Sequence, residues 1–433
     1  MLGLFAPILI EPARQLAIDP VSAAIIGLCT IAAFILALKR PTLAVAMLFV
    51  TDEIEWTHVH GTFSLSLSVM VGSAVGIAFL TQAELRRTLL RPAVRRVGIG
   101  FCVVMGATLM SLARTEHPQL VGVELIKLLE YAITFAVAHA AFATRRDESL
   151  AFSAVATAGI VVSIGALAQL VTGAPAGVTI ASHLVPRIAG LLAGPNQLAG
   201  YLGLLLPVLL VAVIDTRSRL ARASLALVIL ALIGTFSRGG LFGAAVASLV
   251  VLQMRPAAAR IRVWFLQAGI ATAVLIAVGL VAGMRAEGNA QPDGLGTRSQ
   301  LWHAAIALFR GNPIVGVGAG NFEMRLASVG YPTLHTHANS WYFEALADGG
   351  IVLFAGTLVW IRQVVAVLSQ GIPGSPFALG ALAATVGFIA HGLFDDLVIF
   401  PTVAATWWLL VGVGAGLSGN GEIPRVSETS LPA

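Results

Sequence analysis

Charge is what this sequence has least of. Only 11% of its 433 residues are Asp, Glu, Lys or Arg, while 58% are hydrophobic, and the mean hydropathy is +0.90. Soluble domains carry about 25% charged residues. A chain this poor in charge cannot cover itself for water, so its surroundings must largely be lipid. Cysteine is nearly absent as well. Cys29 and Cys102 both sit inside apolar runs, which argues against a disulfide framework or a thiolate metal site. Met1 to Ile10 is apolar but lacks a basic leading segment and a small-residue cleavage site, so a cleavable signal peptide is not expected. The basic excess is small, 26 Lys and Arg against 21 Asp and Glu, and the pI of about 9.8 need not indicate nucleic acid. Arginines at the cytoplasmic ends of membrane helices give the same value.

What the sequence has in abundance is apolar runs of membrane-spanning length. Spans are expected near 21–38, 41–51, 61–81, 97–113, 119–143, 149–173, 197–214, 222–236, 239–254, 261–284, 342–366, 376–393 and 397–417. The fold class is therefore all-α, a polytopic helical bundle of about twelve or thirteen spans, read as one transmembrane domain over 1–433. Four loops are arginine-rich: Thr81 to Arg96, Arg145-Arg146, Asp215 to Arg222 and Arg255 to Arg262. They alternate with loops that are acidic or poor in Lys and Arg. The positive-inside rule puts the first group in the cytoplasm. The opposite face then holds residues 173–197, the Ser237-Arg238 turn and the long loop Arg285 to Ser340. Lys39-Arg40 would put the end of the first span inside too. That leaves the N-terminus outside, or an additional early span within residues 2–18; both readings stay open.

Basic and histidine residues gather on that outer face. Arg187 and Asn196 lie in the loop before one span, Arg238 interrupts an apolar stretch, and Arg298, His335, His337 and Asn339 lie in the long loop. Leu301, Ala305, Leu308 and Phe309 share one face of an amphipathic helix expected near 298–310, which would lie on the membrane with Arg298 in its first turn. Gly311-Asn312-Pro313 ends it. "GVGAGNF" resembles a phosphate-binding glycine loop, but no βαβ unit precedes it, so dinucleotide binding is not expected.

Each of these residues has two readings. Arg238 either snorkels at a helix end or meets an anion. Asn196 caps a helix or lines a cavity, and so do Glu344 and Asp348. His335 and His337 are loop histidines, proton carriers or an H-x-H metal pair, and no acidic residue lies within two positions of either to favour a metal. Asp395-Asp396 reads as the cap of a short turn, and His391 as a histidine bonded within the bundle. Several arginine forks around one cavity suit a pyrophosphate, and a nearby histidine suits deprotonation of a hydroxyl.

"GPNQLAGYL", "FSRGGL", "RSQLW…NPIVGVGAGNF" and "HANSWYFEALADGGI" occur in this order between residues 187 and 351. Together they resemble the O-antigen ligase and polymerase superfamily of bacterial polysaccharide assembly. The resemblance implies a GT-C-type enzyme of the inner membrane, active on the periplasmic face and using no metal or other cofactor. Its donor would be an undecaprenyl-pyrophosphate-linked glycan. Its acceptor would be lipid A–core in a ligase, or another carrier-linked repeat in a polymerase. Arg238 and Arg298 match the family's two functional arginines, and His337 matches the histidine that activates the acceptor. Many members have His directly followed by Asn, whereas here Ala338 intervenes before Asn339. Arg187, Asn196, His335, Asn339 and Glu344 complete the expected substrate-binding set, and membrane lipid is the surrounding partner. The competing reading is a transporter or flippase, which should carry charge deep within its spans. Glu124, Lys127 and Glu130 are the residues that fit it.

Overall fold

The structure is a computed structural model and describes residues 20–51, 57–59, 63–65, 67–144, 146–174, 176–180, 183–255 and 295–419. The expected span 261–284 and the start of the long loop, 285–294, lie outside the described residues. The chain is an all-α polytopic membrane protein. In chain order the helices are α1 (Pro20–Lys39), α2 (Pro41–Thr51), α3 (Leu67–Thr81), α4 (Ala83–Thr88), α5 (Pro92–Met110), α6 (Pro118–Thr144), α7 (Glu148–Thr172), α8 (Pro195–Thr216), α9 (Arg219–Gly234) and α10 (Arg238–Met254). They continue with α11 (Leu295–Gly311), α12 (Phe322–Arg325), α13 (Trp341–Gly371), α14 (Pro376–His391) and α15 (Pro401–Leu417). Two antiparallel hairpins, β1 (Thr57–Val59) with β2 (Phe63–Leu65) and β3 (Ala176–Ile180) with β4 (His183–Arg187), interrupt them.

Among the described residues, four helices are long and apolar enough to cross a bilayer: Pro92–Arg114, Glu148–Thr172, Pro195–Thr216 and Trp341–Gly371. Six shorter apolar helices of 10–17 residues stand beside them. α6, at 27 residues, carries the charged Glu124, Lys127 and Glu130 on an otherwise apolar helix. α8 and α15 are buried along most of their length, which surfaces apolar on every side allow. They can sit centrally because small residues let backbones approach. A Cβ on Gly412 or Gly416 of α15 would fall 2.6 Å from the carbonyl oxygen of Phe135 or 2.7 Å from that of His139. Such glycine spacing is how membrane helices pack closely without a hydrophobic driving force.

The ends of the bundle are chemically distinct. At one end Arg255 grips Asp215 (2.7 Å), Arg96 Nη1 donates to Gln370 Oε1 (2.6 Å), and Glu148 accepts from Phe377 N (3.0 Å). The arginine-rich stretches 81–96 and 215–222 fall here. The other end gathers the starts of α8, α10, α13 and α15 and the ends of α9 and α14.

The expected single span 342–366 is broken in two. Gly350 has φ 61° and ψ −158° and separates a short helix, from Trp341, from the long remainder of α13. A break frees backbone groups that must be satisfied where water is excluded. The "NPIVGVG" segment supplies the partners. Val317 N donates to Ala347 O (3.0 Å) and Gly318 N to Asp348 O (2.8 Å), while Ile351 N donates to Pro313 O (2.9 Å) and Val352 N to Ile314 O (3.2 Å). Glycine is needed for this approach: a Cβ on Gly316, at φ 67°, would lie 2.3 Å from the Asp348 carbonyl. This accounts for the glycine loop without a nucleotide, because its N–H groups are already bonded, those of Val317, Gly318 and Gly320 to α13 and that of Ala319 to Ser111.

Candidate functional site

Arg238 is the first residue of α10 and is exposed. Ser237 caps the helix, its hydroxyl accepting from Gly240 N at 3.3 Å. The turn before it is strained, since Phe236 holds φ 50°, a region bulky residues avoid. Arg187 helps to fix that turn. Its Nε donates to Thr235 O (2.8 Å) and its Nη2 to Asn196 Oδ1 (3.1 Å). Asn196 therefore accepts from a guanidinium, and the N-cap of α8 is Gly194 rather than Asn196. The structure brings these two expected residues together and ties them to the segment that presents Arg238.

Arg298 lies in the first turn of α11 and is half-buried. The apolar face of α11, with Leu301, Ala304, Ala305 and Leu308, is buried against Phe322, Leu326, Ala338 and Ala347. Trp302 stacks on Phe343 with ring centroids 5.5 Å apart. Protein thus covers the stripe that the sequence assigns to lipid, because the following loop and the start of α13 fold over it. Burial lowers the pKa of the Arg298 guanidinium; the Asp395 carboxylate opposes that shift and the Arg238 charge adds to it.

His337 is half-buried, whereas His335 is exposed. The His337 loop is held from behind by Glu344, whose Oε2 accepts from Ala338 N at 2.6 Å. Asp348, one turn further along α13, accepts from Gly320 N through Oδ2 at 2.6 Å. These two carboxylates therefore anchor the two loops beside them. Asn339, at φ 50°, donates its backbone N–H to His337 Nδ1 at 3.1 Å. That contact requires Nδ1 to be unprotonated, so the neutral ring carries its proton on Nε2. Nε2 faces Asp395 Oδ1 at 3.8 Å, and the ring meets Phe400 edge-on at 5.6 Å. Burial lowers the His337 pKa below its usual 6.5. Asp395 pulls it back up, Arg298 lowers it further, and Glu323 raises it.

Sequence reasoning took Asp395 and Asp396 only as turn caps, which they are, Asp395 Oδ1 accepting from Asp396 N at 2.9 Å and Asp396 Oδ1 from Val398 N at 3.1 Å, and it missed the place of Asp395 beside His337. Asp395 is 2% exposed, its carboxylate faces His337, and its charge acts on Arg298. Trp341 N donates to Gly392 O (3.0 Å) and Asp395 O (3.3 Å), which pins this turn to the start of α13. Beside it, burial pushes Asp396 up to about 7, with Asp395 and Glu124 acting the same way and Val398 N–H and Lys127 opposing. The only sequence signal was two adjacent carboxylates between apolar spans. Arg238, Arg298, His337 and Asp395 thus form one charged cluster at one end of the bundle. Such a cluster can hold an anion beside a neutral imidazole.

Residues 223–358 match the family model described as O-antigen ligase. The matched segment contains Arg238, Arg298, His335, His337, Asn339 and Glu344; Arg187, Asn196, His391 and Asp395 lie outside it. No curated protein matches the chain.

Proposed function

We propose that the chain, whose residues 223–358 match the O-antigen ligase family model, transfers a glycan from undecaprenyl pyrophosphate to an acceptor hydroxyl. The active end faces the periplasm from the inner membrane. The acceptor is lipid A–core or another carrier-linked repeat. The observation that supports this reading is the convergence of Arg238, Arg298 and His337, with Asp395 beside them, at the end opposite the arginine-rich loops.

In this mechanism Arg238 and Arg298 hold the pyrophosphate oxygens, using the fork geometry that suits phosphate. The acceptor oxygen bonds to the anomeric carbon. The carbon–oxygen bond to phosphate breaks, and the pyrophosphate leaves with the electron pair, its added charge met by the two guanidinium groups. The proton goes to His337. In the resting structure Nδ1 accepts from Asn339 N–H, so the incoming hydroxyl takes the place of that N–H. Nε2–H stays directed at Asp395, which orients the ring and stabilises the imidazolium that forms. Neither ATP nor a metal is needed, because the donor is already activated.

A transporter requires charge along a path across the membrane. The Lys127–Glu124 pair at 2.8 Å is self-neutralised and lies close enough to Asp396 for the charges to interact, so it supports the active end rather than such a path.

Purified chain given a glycan on polyprenyl pyrophosphate, in excess EDTA and without nucleotide, should form the elongated or lipid-linked product. No product with either acceptor class would sink the proposal. Ser328 is exposed, two residues before Gly330. Ser328→Cys should react with a membrane-impermeant thiol reagent in cells whose outer membrane is permeabilised, above the wild-type background. Labelling only after lysis would reverse the orientation.

A further inference from the structure

His391 is the last residue of α14, is 3% exposed, and was expected to be bonded within the bundle. Its Nε2 is instead buried with no hydrogen-bond partner among the described residues. An unpaired buried polar atom is costly and calls for an explanation. The atom lies at the start of α10. A Cβ placed on Gly239 would be 2.8 Å from His391 Cδ2 and 3.0 Å from Nε2, and one on Gly243 would be 3.0 Å from His391 Cβ. The imidazole thus lies along the glycine face of α10, where side chains would exclude it.

The start of α10 is an anion-attracting end. The N–H groups of Arg238 and Gly239 have no intrahelical acceptor, as in the first turn of any helix, and the helix dipole adds positive potential. Ser237 takes up Gly240 N but leaves those two donors. Arg238 is on the same turn, and the charges acting on His391 are those of Asp395 and Arg298. Two guanidinium groups, a helix N-terminus and an imidazole nitrogen with no partner among the described residues therefore lie near one another at this end of the bundle.

We infer that His391 Nε2 donates a hydrogen bond directly to the lipid-pyrophosphate head group seated over the first turn of α10. This rests on the proposed function and adds a donor-contacting residue to it. The ring binds as neutral imidazole with its proton on Nε2. The requirement for glycine at 239 follows from the same geometry, because a side chain there would displace the ring.

The test uses purified full-length chain in nanodiscs and undecaprenyl pyrophosphate, with affinity measured by calorimetry and folding by thermal melting. His391→Met keeps length but has no donor. It should weaken binding by roughly ten- to a hundredfold, the range expected for losing one hydrogen bond to a charged group. His391→Gln places an amide N–H near the Nε2 position and should retain most of the affinity. Wild-type affinity in a folded His391→Met chain overturns the inference, as does an equal loss in the Met and Gln variants. Should His391→Met not fold, the unmutated chain labelled with 15N-histidine decides. The His391 Nε2 resonance, identified by its absence from the His391→Gln spectrum, should move on adding the lipid, and an unmoved resonance overturns the inference. Arg238→Lys is the control. Binding that depends on Arg238 but not on His391 removes this inference alone, whereas a wild-type chain that ignores the lipid removes the proposed function with it.

Discussion

His337→Ala should slow transfer by about 10²- to 10⁴-fold, the usual cost of losing a general base, while leaving affinity for the lipid-pyrophosphate donor nearly unchanged. The separation follows from geometry. His337 sits in a loop held by Glu344 and turned toward Asp395, whereas the proposed mechanism gives phosphate binding to Arg238 and Arg298. Arg238→Ala should show the converse, weakened donor binding. His335→Ala should be mild in both respects, because that side chain is exposed. The pH profile carries a signed expectation. His337 must be neutral to accept a proton, and burial lowers its pKa from 6.5. The acid limb of turnover should therefore fall below pH 6.5, with activity lost as pH drops through the lowered value. Asp395 raises the His337 pKa, so Asp395→Asn should move the limb to still lower pH and reduce turnover with little change in KM. Single-turnover rates and donor affinities across pH for the four variants decide the matter. Equal loss of donor binding in His337→Ala and Arg238→Ala would make the histidine a phosphate ligand and leave the reaction without its base.

The bundle was legible because lipid imposes a local rule: every spanning segment must be apolar and internally hydrogen-bonded, and both properties appear in consecutive residues. α5 to α10 accordingly lie close to their expected ranges. The arginines and His337 were legible as a group of basic side chains next to membrane ends. Partners distant in sequence were not. Asp395 stands 58 positions after His337 (395 minus 337), and nothing near either residue marks the pair. His391 read as an ordinary core histidine because its isolation depends on the glycine face of α10, which is remote in the chain. The break at Gly350 was hidden for a similar reason. "EALADGGIVLFAG" is continuous helix to any hydropathy reading, and only the docking of residues 313–318 lets the backbone part there.

That docking sets the largest stability effect expected outside the charged cluster. Gly316→Ala should lower stability by about 2–5 kcal/mol. Roughly 1–2 of this comes from forcing an L-residue into the left-handed region, and about 1–3 from overpacking against neighbours that cannot move. The neighbours here are the Asp348 carbonyl and the Gly349 nitrogen, 2.3 and 2.4 Å from the new Cβ. Both are backbone atoms of the break itself, so relieving the clash means withdrawing the loop. Val317 N–H, Gly318 N–H and the carbonyls of Ala347 and Asp348 would then lose their partners inside the bundle. Two other glycines separate the contributions. Gly330 also has a positive φ, 94°, but open space around its Cβ position, so Gly330→Ala should show the conformational cost alone. Gly311 has open space and ends α11 without a positive φ, so Gly311→Ala should change stability by no more than about 0.5 kcal/mol, as surface substitutions usually do. Melting curves of the three variants in one detergent should order them Gly316→Ala below Gly330→Ala below Gly311→Ala. Activity in the Gly316 variant should fall with the folded fraction, since Asp348 and Glu344 share the short helix that carries the His337 loop. A Gly316→Ala chain that melts with Gly311→Ala would mean that residues 313–318 do not dock into the break, and the hydrogen bonds across Gly350 would need another source.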